Sequence, residues 1–254
     1  FSERMMDYVL FKNLDDKYLT LKDCIEKNKK PEDSENASVE TEAKDSEKGE
    51  EEEEVKKTTV FYVTDPVQQS QYINLFREQG LDAVYLRHNI DNTFISHMER
   101  INETVKFQRI DSDVTEEVVE DAADEATAKA LTDLFRKELD NDQLNVKVQN
   151  LKNENISSMM TLEEESRRMQ EMMRMYNMGG MGMGDPSMFG GKETLILNAK
   201  NQLVQYLAAH QDSEHTALIC QQLYDLAMIS HKPLEPEAMT KFIARSNEIM
   251  MLLT

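Results

Sequence analysis

This sequence predicts an α+β fold: a small αβα (βαβ) subdomain over residues 1–110, then over residues 111–254 a mixed α/β domain that ends in a helical hairpin. Three observations carry that expectation. A β-branched run at Thr59–Val63, a helical stretch with Val67, Ile73, Leu75 and Phe76, and a second short apolar run at Ala83–Leu86 follow closely on one another, as in a right-handed unit of two parallel strands and a crossover helix. From residue 111 strand-like and helix-like segments continue to alternate. The chain then closes with two strongly apolar helical segments joined by a proline turn at Pro233. With 254 residues, two modest domains can each bury a core.

The elements follow in chain order. Met5, Met6, Val9 and Leu10 are spaced as one face of a first helix, a turn is expected at Asn13–Asp16, and Thr20 is placed to cap a short helix through Ile25. Between Pro31 and Lys56 every large apolar residue except Val39 and Val55 gives way to Ser, Glu, Asp, Ala and Lys, ending in the run Glu50–Glu54. Such a segment cannot offset its chain entropy by burial, so residues 31–56 are expected to form a disordered acidic loop rather than a long solvated helix. The charge run reads as a solvated stretch, with an electrostatic guard or tether as the functional alternative.

Asp65-Pro66 marks a helix start with proline at the first helical position, and Gly80 is a left-handed C-terminal stop. Asp91 is placed to cap a helix carrying Phe94, Ile95 and Met98, and Val105–Ile110 alternates as a strand. Thr115–Leu139 reads as one long acidic helix that keeps Val118, Val119, Ala122, Leu131, Leu134 and Phe135 for packing. Strands are expected at Leu144–Val148, Ile156–Thr161 and Thr194–Leu197. Helices are expected at Leu162–Tyr176, around Leu203, Val204 and Leu207, at His215–Ser230 and at Pro236–Leu253.

Composition removes several function classes. A formal charge of −20 and a pI near 4.7 oppose a phosphate backbone, whose binding depends on clustered Lys and Arg, so no nucleic acid partner is expected. No stretch approaches the roughly 20 consecutive apolar residues of a membrane span, so no membrane partner is expected either. Cys24 and Cys220 lie far apart without a CxxC spacing and read as ordinary thiols of a reducing cytoplasm. The sequence opens at Phe1 with neither an initiator methionine nor a signal peptide, and is expected to begin inside a longer protein.

No catalytic residue is nominated. The turn Thr64-Asp65-Pro66-Val67 after the first strand of the βαβ unit has no glycine to admit a pyrophosphate, and no P-loop lysine follows it. His88, His97, His210, His215 and His231 are scattered without metal-ligand spacing, and no GxSxG elbow occurs, so no metal site is nominated either.

Methionine usage is the chemical anomaly. Of 17 methionines, ten fall between Met159 and Met188, and six of the eight glycines fall between Gly179 and Gly191. Met169, Met172, Met173 and Tyr176 are spaced i, i+3, i+4 and i+7 along one helix face, while Arg167, Arg168, Gln170, Glu171 and Arg174 occupy the other. Flexible thioethers accept unrelated apolar partners, which points to adaptable binding of non-native protein segments, with Met175 and Met178 continuing the surface. The competing readings are core filling and, more remotely, soft-metal binding.

The last two helices carry more apolar surface than a hairpin can cover. Leu218, Leu223, Leu226 and Ile229 on the first, and Met239, Phe242, Ile243, Ile249, Met250 and Leu253 on the second, are expected to form a symmetric four-helix bundle between two chains. Packing back onto the same chain is the alternative.

The strings Met6–Lys12, Thr59–Asp65 and Phe76–Val84 resemble the small αβα part of the middle domain in HtpG-type chaperones of the heat-shock-protein-90 family. Leu197-Asn198 with Leu203-Val204 resembles a strand-to-helix junction of that family's C-terminal domain. Leu223–Ala227 with Pro233–Met239 is similar to its dimerisation hairpin. The resemblance implies a homodimeric, client-binding stress-response chaperone fragment with no enzymatic activity of its own and no cofactor. ATP and Mg would be bound by the intact protein, on regions outside this sequence. It further implies that the helix at Leu162–Tyr176 faces the cleft between protomers. The insertion at 31–56 and the Gly-Met segment at 178–191 depart from the family, and the missing acidic pentapeptide terminus suggests a bacterial type. A signal-recognition-particle-like Met-rich binder and an enzyme built on the βαβ unit are the rival readings; the net charge disfavours the first and the absent phosphate loop the second.

Overall fold

The computed structural model of the protein describes residues 8–28, 57–113, 118–169, 172 and 193–252. The expected acidic loop at 31–56, the Gly-Met segment at 178–191, and Met5 and Met6 lie outside them. The described chain is a mixed α+β structure in two compact units, one of residues 1–64 and 80–110, the other of residues 65–79 and 111–254. Residues 65–79, which a boundary at 110 would keep with the first domain, make their contacts in the second unit.

The first unit opens with a hairpin of β1 (Leu10–Lys12) and β2 (Tyr18–Thr20), antiparallel with Phe11 opposite Leu19. Leu10, expected on a helix with Val9, instead opens β1: the i, i+4 spacing is overridden by the turn that follows. There the Asn13 carboxamide oxygen accepts from the backbone N–H groups of Asp15 and Lys17, and Asp16 takes a left-handed φ of 63°. Helix α1 (Leu21–Asn28) starts as expected at Thr20, whose backbone N–H and hydroxyl both donate to the Asp23 carboxylate.

Strands β3 (Thr58–Val63), β4 (Ala83–Tyr85) and β5 (Val105–Arg109) form a parallel sheet in the order β4-β3-β5. Helix α2 (Ser70–Glu78) lies between β3 and β4 in sequence, and α3 (Asn89–Ile101) between β4 and β5. Gly80 stops α2 at φ +69°, as its sequence position predicts. Asp91 acts three residues inside α3, accepting from the His88 backbone N–H at 2.9 Å, so His88 rather than Asp91 is the N-cap. The core gathers Phe11, Cys24, Tyr62, Ile95, Met98 and Phe107, the rings of Phe11 and Phe107 lying 5.9 Å apart. Asp82 ties the hairpin and α1 to β4, accepting from Asn13 Nδ2 at 2.8 Å and Lys27 Nζ at 2.9 Å. Burial alone would push its carboxyl up; the Asn13 and Lys27 hydrogen bonds outweigh that and hold it below the ordinary carboxylate value.

The second unit is built on a four-stranded sheet ordered β6-β7-β9-β8, from β6 (Val119–Ala122), β7 (Asn145–Leu151), β8 (Ser158–Thr161) and β9 (Thr194–Asn198). The pair β7 and β9 runs parallel and the outer pairs antiparallel. The single acidic helix expected at Thr115–Leu139 is instead β6 followed by α4 (Glu125–Glu138), whose true start is Asp124, accepting from the Thr127 N–H. Helices α5 (Gln202–Ala209), α6 (Thr216–His231) and α7 (Pro236–Met251) complete it. Leu131, Phe135, Met160, Leu195, Leu207, Cys220 and Leu223 fill its core. Buried Asn198 pins the junction after β9, accepting from the N–H groups of Leu151 and Lys200 and donating to the carbonyls of Asn153 and Ile156.

Candidate functional site

The two terminal helices treat their apolar residues differently. On α6, Thr216, Cys220, Leu223, Ala227, Met228 and His231 recur at helical spacing and are all buried in the core. On α7 no residue is buried. Polar contacts join α7 to α6: Arg245 donates to Gln222 Oε1 at 2.9 Å and Gln221 Oε1 at 3.3 Å and pairs with Asp225, while Gln222 donates to Ser246 Oγ at 3.1 Å. Arg245 and Asp225 are largely sheltered, their side chains 11% and 15% exposed. The guanidinium thus faces inward, while Met239, Ile243 and Met250 stay exposed.

Of the residues expected at an interface, Leu226, Met239, Ile243 and Met250 are exposed, Ile243 at 53% and Met250 at 56%. Leu218, Ile229, Phe242 and Ile249 are half-buried. Leu223 is a correction: at 1% exposure it is spent on the protomer's own core, and Ser158 Oγ donates to its carbonyl at 2.8 Å. Leu253 lies outside the described residues. Met251 and Leu252 extend the exposed surface at 70% and 55%; Met251, not nominated, directly follows Met250, and the run Ile249–Leu252 is the sequence signal that could have found it.

The methionine-bearing segment shows the same inversion. Residues 164–169 are helical, as is 172. Arg167, placed by spacing on the face opposite the methionines, is buried: its Nη2 donates to Glu164 Oε1 at 2.6 Å, and Arg168 Nε donates to the same oxygen at 2.7 Å. Glu164 is buried with it, so the charged face of the first turn is anchored in the protein while Met169 and Met172 are exposed at 43% and 47%. Met173, Met175, Tyr176 and Met178 lie outside the described residues.

Burial pushes both thiols, Cys24 and Cys220, up to about 12, which leaves neither a thiolate near neutral pH. Among the described residues no group of three or more His, Cys, Asp and Glu could hold a metal ion, and no helix is long and apolar enough to cross a membrane. At the turn after β3 the Asp65 carboxylate itself accepts from the N–H groups of Val67 and Gln68, at 2.9 and 3.0 Å. The donors that a phosphate would need there are already engaged by an anion, so these residues do not fit a nucleotide.

Comparison with known proteins matches residues 58–253 to the family described as Hsp90 protein. The chain belongs to the Hsp90 family. Among curated Hsp90 relatives, the chaperone protein htpG of Bacteroides fragilis (strain 638R) is 28% identical over 170 residues, 63% of this chain and 24% of the relative. The chaperone protein HtpG of Bacteroides thetaiotaomicron is 27% identical over 164 residues, 60% of this chain and 23% of the relative. The chain thus spans about a quarter of the length of the Hsp90 relatives it matches.

Proposed function

We propose that this chain is the client-binding and dimerising part of an HtpG-type molecular chaperone of the cytoplasm, with residues 1–110 as the small αβα part of its middle domain and 111–254 as its C-terminal domain. Two copies pair through α6 and α7 into a four-helix bundle, and the Met-bearing helix at Leu162–Tyr176 offers an adaptable apolar surface to unfolded proteins. In the intact chaperone, binding and hydrolysis of ATP with Mg belong to other regions and drive the folding cycle; this chain does the holding.

The observation that supports this reading is the shared inversion of two amphipathic helices. Arg245 and Arg167 are turned into the protomer, and Ile243, Met250, Met169 and Met172 are turned out. A monomer gains nothing from burying guanidinium groups while leaving apolar side chains wet, each of the latter worth about 1.5–3 kcal/mol if covered. The arrangement suits surfaces meant for partners.

Replacing Met169, Met172 and Met173 by Ser tests the assignment: suppression of aggregation of a heat-denatured protein should fall several-fold while the dimer persists. Full protection by the triple variant would remove the methionine face from the account.

A further inference from the structure

The second unit contains a buried polar cluster that neither a holding surface nor a dimer interface needs by itself. Asp111 is fully buried. Its Oδ1 accepts from Gln69 Nε2 at 2.9 Å, and its Oδ2 lies 3.1 Å from His231 Nδ1, the side chains of Asp111 and His231 being 0% and 4% exposed. His231 is the last residue of α6, immediately before the turn into α7. Two residues earlier, the Ile229 carbonyl accepts from the Gln68 carboxamide. The same few residues also reach the foot of the Met-bearing helix. The Asp111 carbonyl accepts from the Leu162 N–H at 3.4 Å, and Tyr72 Oη donates at 2.6 Å to the carbonyl of Met160, inside β8. Two residues beyond Leu162 begins the buried Glu164–Arg167 pair.

Burying a carboxylate costs several kcal/mol unless its lone pairs are filled, so Asp111 is committed to its donors. A shift of the end of α6 must either carry Asp111 with it or strip a buried carboxylate of the His231 contact. Because the Asp111 backbone also holds Leu162, the two outward-facing surfaces hang from one residue, through groups that tolerate little misalignment. Apolar packing could have joined the same segments more cheaply, but it slides; a directional contact fixes an angle.

We infer that Asp111 and His231 are positioning residues that couple the α6–α7 hairpin to the Met-bearing helix, so that dimerisation and client binding change each other's strength. This rests on the proposed function, since it names the link between that function's two surfaces. Coupling between binding sites is reciprocal, and typical values correspond to factors of about five or more.

The test uses the whole 254-residue chain and, as client, reduced carboxymethylated α-lactalbumin, which stays unfolded. The dimer dissociation constant is measured by fluorescence-detected sedimentation with and without saturating client. The wild-type constant should shift by about fivefold or more. His231→Leu should still dimerise and still bind client, but with the shift reduced to less than about twofold. His231→Asn, whose Nδ2–H replaces the imidazole Nδ1–H, should restore it. A merely structural role would lower Tm in His231→Leu and leave the shift intact, which overturns the inference, as does a wild-type chain that binds both partners without any shift. If His231→Leu fails to fold, Gln69→Leu takes its place with the same expected loss. A wild-type chain that does not dimerise or does not bind client defeats the proposed function itself, a result distinguishable from loss of coupling alone.

Discussion

Helices α6 and α7 are neighbours of equal length, 16 residues each, and both are rich in apolar side chains, yet α6 buries six residues and α7 none. The difference lies in what each helix packs on. Helix α6 is laid on the sheet of its own unit and its inner stripe is part of that core. Helix α7 is tied to α6 by hydrogen bonds among Arg245, Gln222 and Ser246, and leaves Met239, Ile243, Met250 and Met251 exposed. One apolar pattern therefore has two fates, buried on α6 and largely exposed on α7, and only the inner partners of each helix tell them apart.

The sharpest way to press the comparison is to truncate one apolar residue on each helix. Leu223→Ala in α6 should cost about 2–5 kcal/mol of unfolding free energy in dilute solution, whereas Ile243→Ala in α7 should cost no more than about 0.5 kcal/mol there. Denaturant titration monitored by circular dichroism checks both; equal losses would mean that α7 is part of the protomer core after all. Next in size, Arg245→Ala removes the clamp and strands Asp225. Amide exchange over residues 236–251 should speed up on the order of tenfold to a hundredfold, with the amides of β7 and β9 unchanged.

A smaller effect belongs to the first unit, far from the hairpin in sequence. Asp82 titrates below its unfolded value of about 3.9, so the stability it confers is fully present above that value and is lost as pH falls through the folded value. Asp82→Asn should flatten the stability curve in that acid window and leave it parallel to wild type near neutrality; the readout is Tm against pH. The smallest expected effect is on thiol chemistry. With both cysteines buried and their thiols near 12, labelling at neutral pH should be as slow in Ile243→Asp as in wild type, and faster labelling of Cys220 in that variant would show that α7 guards the core.

How much of this was legible depends on the range of the interactions. The β3 run Thr58–Val63, the Gly80 stop and the Thr20–Asp23 cap are local signals, and each stands where the residues place it. Val119–Ala122 failed because Glu and Ala favour a helix locally, while its strand state comes from pairing with β7 some 30 positions on, across an irregular register. Val9 and Leu10 failed for the same reason in miniature. At the site, spacing could not say that Arg167 points inward: its buried partner, Glu164, sits one turn back and looks like any solvated pair. Leu223 was assigned to an interface because an all-round apolar helix gives no clue to which stripe its own sheet claims. The Gln69–Asp111–His231 cluster joins residues 42 and 120 positions apart and left no trace in the sequence pattern.

The central claim is that the uncovered side of α7 belongs to a second copy, and sedimentation equilibrium of the chain beside its Ile243→Asp, Met250→Asp variant tests it most directly. The account predicts a wild-type dimer at micromolar concentration and a variant that sediments as a folded monomer with an unchanged circular dichroism spectrum. A wild-type chain that remains monomeric into the high micromolar range, or a variant that still dimerises as tightly, would contradict it.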